Sequence, residues 1–483
     1  MKSFGNIAKD GQVRAVASGA LTDGKAVIVN SNGTVSVVAS TGSATQALGS
    51  GVVFETAQVS ETQSAYDTTN NKVVIAYRDG GNSNYGTAVV GTVSGTSISF
   101  GSPSTFNTSG YTADISIAFD ATAGKFVISY RDNGNNNYGT AIVGTVSGTS
   151  ISFGTEVVFK SNQCQYTSLV YDSNAGKVVL TYLDDGSPQK GAANVCTISG
   201  TSISFGSQTV FESAQIRYTK AAYDANAQKI VVAYRDMGNS NYGTAVVGTV
   251  SGTSISFGTP VVYYEGNVLF LANAYDSVAQ KVVISYRDND NSSYGTAVVG
   301  TVSGTSISFG TPVVFQSSIA QRANSTFDAT AQKIVTVYQA NPDHGFVVSG
   351  KVSGTTITFD TAVEFDGDES VDMSAVYDPD TGKVVIAYRD EGNSQYGTAI
   401  VSTTGYNNTN LTSENFIGFS DGAFATTQSA AINTTNTIDR NQSGLTAGQT
   451  YFVQGDGTLA LTAADPSVTA GTAISATELI VKG

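Results

Sequence analysis

Short apolar runs and polar turn residues alternate along most of the chain. From Ser64 to Phe106 the stretches SAYD, KVVIAYRD, YGTAVVGTV and TSISFGSPSTF are separated by TTNN, GGNSN and SG. Val, Ile, Tyr and Phe fill the apolar positions, and turn-forming residues stand where the alternation stops. The pattern predicts four short antiparallel strands. The same unit then recurs. Tyr-Arg-Asp begins at Tyr77, Tyr130, Tyr234, Tyr286 and Tyr388, with degenerate copies at Tyr182 and Tyr338, in steps of 53, 52, 52, 52, 52 and 50 residues. An Asp-x4-Lys hairpin, from Asp67–Lys72 to Asp378–Lys383, accompanies every copy. Asp favours turn starts and Lys can pair across such a hairpin. Seven four-stranded units of about 50 residues predict an all-β protein built on a seven-bladed β-propeller.

The ends of the repeat sharpen this expectation. The last copy lacks its fourth strand, whereas SATQALGSGVVF (Ser43 to Phe54) precedes the first copy and aligns with GTSISFGTEVVF (Gly148 to Phe159). The N-terminal strand is therefore expected to complete the seventh blade and close the ring, removing an open sheet edge. Residues 43–402 are assigned to the propeller. The flanks, 1–42 and 403–483, carry two matching segments, LTDGKAVIVNSNGTVSVVA from Leu21 and LTAGQTYFVQGDGTLALTA from Leu445. They predict two related hairpins in one small β domain made from both chain ends.

Blade strands alternate in direction, so the Arg-Asp loop between the second and third strands shares a face with the link into the next blade. Binding usually resides in loops carried by a rigid scaffold. On this face the repeated loop offers Arg78, Asp79, Asn82 and Tyr85 in the first unit, with Lys190 and His344 standing at the Tyr85 position in two others. The links differ from unit to unit and supply Tyr111, Tyr166, Arg217, Tyr218, Tyr264, Phe270 and Arg322. Hydrogen-bonding groups beside flat apolar rings suit glycans. A purely structural reading stands beside this one: the Arg-Asp-Tyr set can close its own loop or clamp neighbouring blades, and link aromatics can pack loops.

Composition removes several alternatives. A formal net charge of −14 without a cluster of Lys or Arg disfavours nucleic acid and anionic membranes. No stretch approaches the apolar length of a membrane span, and the opening MKSFGNIAKDGQVRAVASG lacks the apolar run of a signal peptide. Cys164 and Cys196, the two cysteines, are expected as free thiols. The single histidine, His344, argues against a His-rich metal site and a Ser-His-Asp triad, so no metal, cofactor or catalytic residue is assigned. A two-carboxylate hydrolase drawing on Asp366, Asp368, Glu369 and Asp372 in one link and on Asp184 and Asp185 in another is the enzymatic alternative.

The segment from Gly444 to Gly483, with NFIGFSDGAF (Asn415 to Phe424) upstream and ASGALTDGKAVIVNSNGTVSVVA near the N-terminus, resembles the terminal regions of virion structural and tail-fibre proteins of marine and cyanobacterial tailed phages. The resemblance implies a non-enzymatic virion appendage, made in the host cytoplasm and displayed on the particle. It implies that the small β domain binds other virion proteins while the propeller contacts a host-surface glycan or protein, and that the chain forms a homo-oligomer. A capsid-decoration or tail-assembly subunit is the alternative, and a bacterial surface adhesin a further one.

Overall fold

The computed structural model describes residues 11–464 and 466–482, so the first ten residues of the N-terminal segment lie outside the described residues. The chain is all-β: among the described residues the only helical element is a three-residue 3-10 turn, Asn133–Asn135. It forms two compact units, Gln46–Thr404 and a second one drawn from both chain ends, up to Thr45 and from Gly405.

Within Gln46–Thr404 one pairing pattern recurs. In its first occurrence Val52–Asp67 pairs with Lys72–Asp79, which pairs with Tyr85–Ser94, which pairs with Ser97–Phe100, every pairing antiparallel. Five of the seven links read from the sequence as loops are continuous strand, and the other two are interrupted only between Asn107 and Thr112 and between Glu212 and Ile216. Val52–Asp67 is one continuous strand of 16 residues whose beginning pairs with Tyr396–Thr403 and whose end pairs with Lys72–Asp79. Its polar backbone thus finds ladder partners in two successive sheets, which is why a loop-like sequence is extended here. Ala47–Leu48 also pairs with Ser402 and Thr403, so residues ahead of the first repeat supply the missing edge of the last one.

The repeated tripeptide divides its labour. The tyrosines at its head are buried, six of them completely, and each packs on an aromatic ring from 23 or 24 residues earlier in the chain, as Tyr77 does on Phe54 at 5.2 Å between centroids and Tyr234 on Phe211 at 5.4 Å. Asp79 caps its own loop by accepting from the amides of Gly81 and Asn82 at 2.9 and 3.1 Å. Hairpin Asp67 does the same for Thr69 and Asn70 at 2.8 and 2.9 Å. These hairpins are held by backbone amides rather than by Asp–Lys pairing; Lys177 and Lys383 donate instead to Thr197 and Thr403.

Successive units also meet through glycines. A Cβ on Gly101 would stand 1.8 Å from the carbonyl oxygen of Thr149, in the Ser-Gly-Thr turn of the next unit, and Gly49, Gly154, Gly206, Gly258 and Gly310 meet the equivalent carbonyl at 1.8 to 2.0 Å.

The second unit holds two five-stranded sheets. Gln12–Val16, Ser429–Asn433, Phe416–Ser420, Ala26–Val29 and Val35–Val37 form one, and Ile438–Asp439, Leu479–Val481, Thr469–Ala473, Thr450–Val453 and Leu459–Ala460 the other. The matched segments adopt the same turn: Gly33 and Gly457 take φ of 79° and 81°, and Thr34 and Thr458 donate to the side chains of Asn32 and Asp456. Phe419, Tyr451, Val453 and Leu479 close a common core.

Both cysteines are unpaired and buried, and burial pushes their thiols well above the ordinary range. Thiolate is the reactive form. Iodoacetamide is therefore expected to leave both unmodified in the folded protein and to alkylate both in guanidinium, as read by intact mass; labelling of either without denaturant would contradict this packing.

Candidate functional site

Each long first strand contains one extra residue. Ser60 stands opposite Arg78 and Gln63 opposite Ala76, so three steps on one strand span two on the other, and the same irregularity recurs in the other six units. Such a bulge bends a strand and re-aims one side chain. The bulged residues are Glu61, Asp114, Tyr166, Tyr218, Phe270, Arg322 and Asp372, all left-handed, with φ between 50° and 57°. A non-glycine residue at positive φ is uncommon, and for bulky types it is strained. All seven residues line a single cavity of about 220 Å³, together with their chain neighbours Thr62, Ile115, Thr167, Thr219, Leu271, Ala323 and Met373.

The cavity has two chemically distinct sides. Tyr166, Tyr218 and Phe270 form an aromatic arc, with ring centroids 5.3 and 5.6 Å apart in succession. Opposite stand three carboxylates, each beside an arginine. Asp114 pairs with Arg131 Nε at 2.9 Å and accepts the Tyr166 amide at 2.7 Å. Asp372 lies 3.3 Å from Arg389 and 3.4 Å from Arg322, and Glu61 3.9 Å from Arg78. Burial pushes the Glu61 carboxyl up to about 7, and the neighbouring carboxylates of Asp114 and Asp372 push in the same direction. Lys220, two residues beyond Tyr218 on the same strand, also lines the cavity, and burial lowers the pKa of its ammonium.

Of the residues singled out from the sequence, Tyr166, Tyr218, Phe270 and Arg322 meet in this cavity. Arg217 sits beside it, in register with Arg235. Tyr111 and Tyr264 do not line it. Tyr111 is covered by the Arg78 guanidinium, 4.2 Å from its ring centroid, and Tyr264 packs on Tyr286 at 5.4 Å. Asp79 and Tyr85 close their own loop, the Tyr85 amide donating to the Asn82 carbonyl at 3.0 Å, and the Asn82 side chain ties that loop to the strand Ser104–Asn107 by donating to Thr105 at 3.2 Å. The sequence reading passed over Glu61, Asp114 and Lys220 as cavity residues and took Asp372 only as part of an acidic loop. A signal was present, since the seven bulge residues each stand six positions before the hairpin Asp, from Asp67 to Asp378. Among the described residues no group of three or more His, Cys, Asp or Glu is placed to hold a metal ion.

Fold and cavity define an all-β repeat protein in which one cavity is lined by equivalent positions of seven strands. Comparison with solved structures places a lectin among the chains of similar fold. BP39L lectin from Burkholderia pseudomallei is 11% identical, with 74% of this chain covering 99% of that one at a TM-score of 0.52. AofleA from Arthrobotrys oligospora is 9% identical over 73% of this chain and all of that one, at a TM-score of 0.42, and the leech intramolecular trans-sialidase 10% identical over 73% and 70%, at 0.44. At such identities the likeness concerns the fold alone. No family model matches the chain, and no curated protein does.

Proposed function

We propose that Gln46–Thr404 is a seven-bladed β-propeller, closed by Ala47–Leu48 and the start of Val52–Asp67, that binds a carbohydrate without turning it over. The observation that carries the reading is the ring of seven bulge residues. The strands and turns around them are near-copies, yet these positions carry Glu, Asp, Tyr, Tyr, Phe, Arg and Asp, each in a conformation that costs free energy. Aromatic faces beside hydrogen-bonding groups are what a sugar ring requires, with apolar C–H faces to stack and hydroxyls to satisfy. The fold likeness to a lectin agrees with this.

In this reading the unit built from both chain ends mounts the propeller on a phage particle, as the resemblance of its segments to tail-fibre and virion structural proteins implies. Several copies on one particle would then convert weak single sites into firm attachment through effective concentration. One observation favours a second reading: the raised Glu61 carboxyl beside Asp114 and Asp372 has the makings of an acid with carboxylate partners, as glycoside hydrolysis needs. A glycan array probed with the labelled full-length chain, followed by mass analysis of each bound glycan, separates the two. Saturable binding with intact ligand supports the lectin reading. Cleaved ligand supports the hydrolase, and no binding to any glycan or host cell supports a structural role among virion proteins.

A further inference from the structure

The arginines around the cavity are distributed unevenly. On the acidic side Arg78, Arg131, Arg322 and Arg389 each have a carboxylate within 4 Å. On the aromatic side Arg217, Arg235, Arg287 and Lys220 form no ion pair among the described residues. Arg287 lies 5.8 Å from the centroid of Phe270, and Arg235 lies within electrostatic reach of Tyr166, Tyr218 and Arg217. The Nε atoms of Arg235 and Arg287 are buried without an acceptor. Leaving buried donors unmet and like charges adjacent is costly, and the cost is easily avoided in a chain with 38 acidic residues against 24 basic ones.

We propose that the ligand of this cavity is an acidic sugar, seated with its ring against Tyr166, Tyr218 and Phe270 and its single carboxylate or sulfate answering Lys220, the one cation of that side that lines the cavity, with the field of Arg217, Arg235 and Arg287 behind the rings adding to the attraction. The inference rests on the carbohydrate reading and adds the charge of the ligand. An anion there adds negative charge on a side of the cavity where Lys220 feels Glu61 only from across it, whereas a neutral sugar would add none.

Glu61 then tunes the site. Facing it are Asp114, Asp372, Arg78, Arg131 and, across the cavity, Lys220. Its charged form adds a negative charge near the bound anion, so affinity should rise as pH falls from 8 to 6, by about threefold to tenfold for one charge at this range in a partly solvated site.

The test uses the full-length protein and matched probes: glucose- and galactose-terminated glycans, the corresponding uronic acids, and the 6-sulfated forms. Expected are at least tenfold preference for one anionic series over its neutral parent, loss of that preference in Lys220→Gln and a smaller reduction of it in Arg235→Gln, weakening by salt, and loss of the pH trend in Glu61→Gln. Uronic acids and sulfates distinguish the two anion sources. The salt and pH dependence of the wild type require no variant, so a misfolded substitution does not spoil the test. Equal affinity for neutral and anionic probes would overturn the anionic assignment and leave carbohydrate binding standing; binding to neither would overturn both.

Discussion

Tyr218→Gly is expected to abolish most ligand binding while leaving the fold intact. Tyr218 occupies the middle of the aromatic arc, stacked between Tyr166 and Phe270. Central aromatic anchors typically contribute about 2 kcal/mol or more to an interface, so the dissociation constant should rise roughly 30-fold or beyond. Stability should respond differently. Tyr218 is held at φ 55°, a region glycine enters without penalty, so relief of backbone strain offsets the lost ring packing and unfolding free energy should change by no more than about 1 kcal/mol. Isothermal titration and denaturant unfolding on the same preparation check both halves. A large loss of stability with unchanged affinity would mean that the bulge tyrosine is a packing residue and that the cavity is not the site.

The opposite pattern is expected at the glycines that join successive units. In Gly258→Val the new Cβ would begin 1.9 Å from the Thr305 carbonyl oxygen, in a backbone turn with no flexible end to swing aside. Overpacking ordinarily costs about 1 to 3 kcal/mol, and a clash this close with backbone rather than with a side chain should exceed this, giving loss of more than about 3 kcal/mol or insoluble protein. Gly304→Ala is the control, because nothing stands near its Cβ and its φ of 61° predicts a cost of only about 1 kcal/mol. The chain contains its own version of this experiment. Asp360 occupies the joint position once, and the turn it would meet belongs to the last unit, where the strand Tyr396–Thr403 runs into Gly405 instead of a Ser-Gly-Thr turn. A side chain is thus tolerated at the one joint where the opposing turn is missing. Equal stability of Gly258→Val and Gly304→Ala in urea titrations would remove the joint from the account.

The two substitutions probe features of unequal visibility in the sequence. The second, third and fourth strands of each unit follow the apolar alternation closely, as Lys72–Asp79 and Tyr85–Ser94 show, because one strand and its turns are local matters of propensity and spacing. The links misled for a physical reason. ETAQVSETQ is polar enough to read as loop, but its backbone is paired along two sheets, a fact set by partners some 20 and more than 300 residues away. Tyr111 illustrates the same difficulty. It stands in a variable link like Tyr166, yet the bulge of its own strand falls three residues later and presents Asp114 to the cavity in its place.

By itself, then, the sequence determined the period of about 52 residues, the strand and turn pattern, the alignment of Ser43–Phe54 with a fourth strand, and the kinship of the two terminal hairpins. Each of these is carried by residues close together or repeated at fixed spacing. The cavity was decided only in three dimensions. The seven bulge positions that line it have no one residue type in common, and what unites them is a one-residue slip between neighbouring strands that turns each side chain toward a common space. Pairing register and backbone handedness are properties of two strands at once, so the chemistry of Glu61, Tyr218 and Arg322 acquires a common object only when the strands that carry them come together.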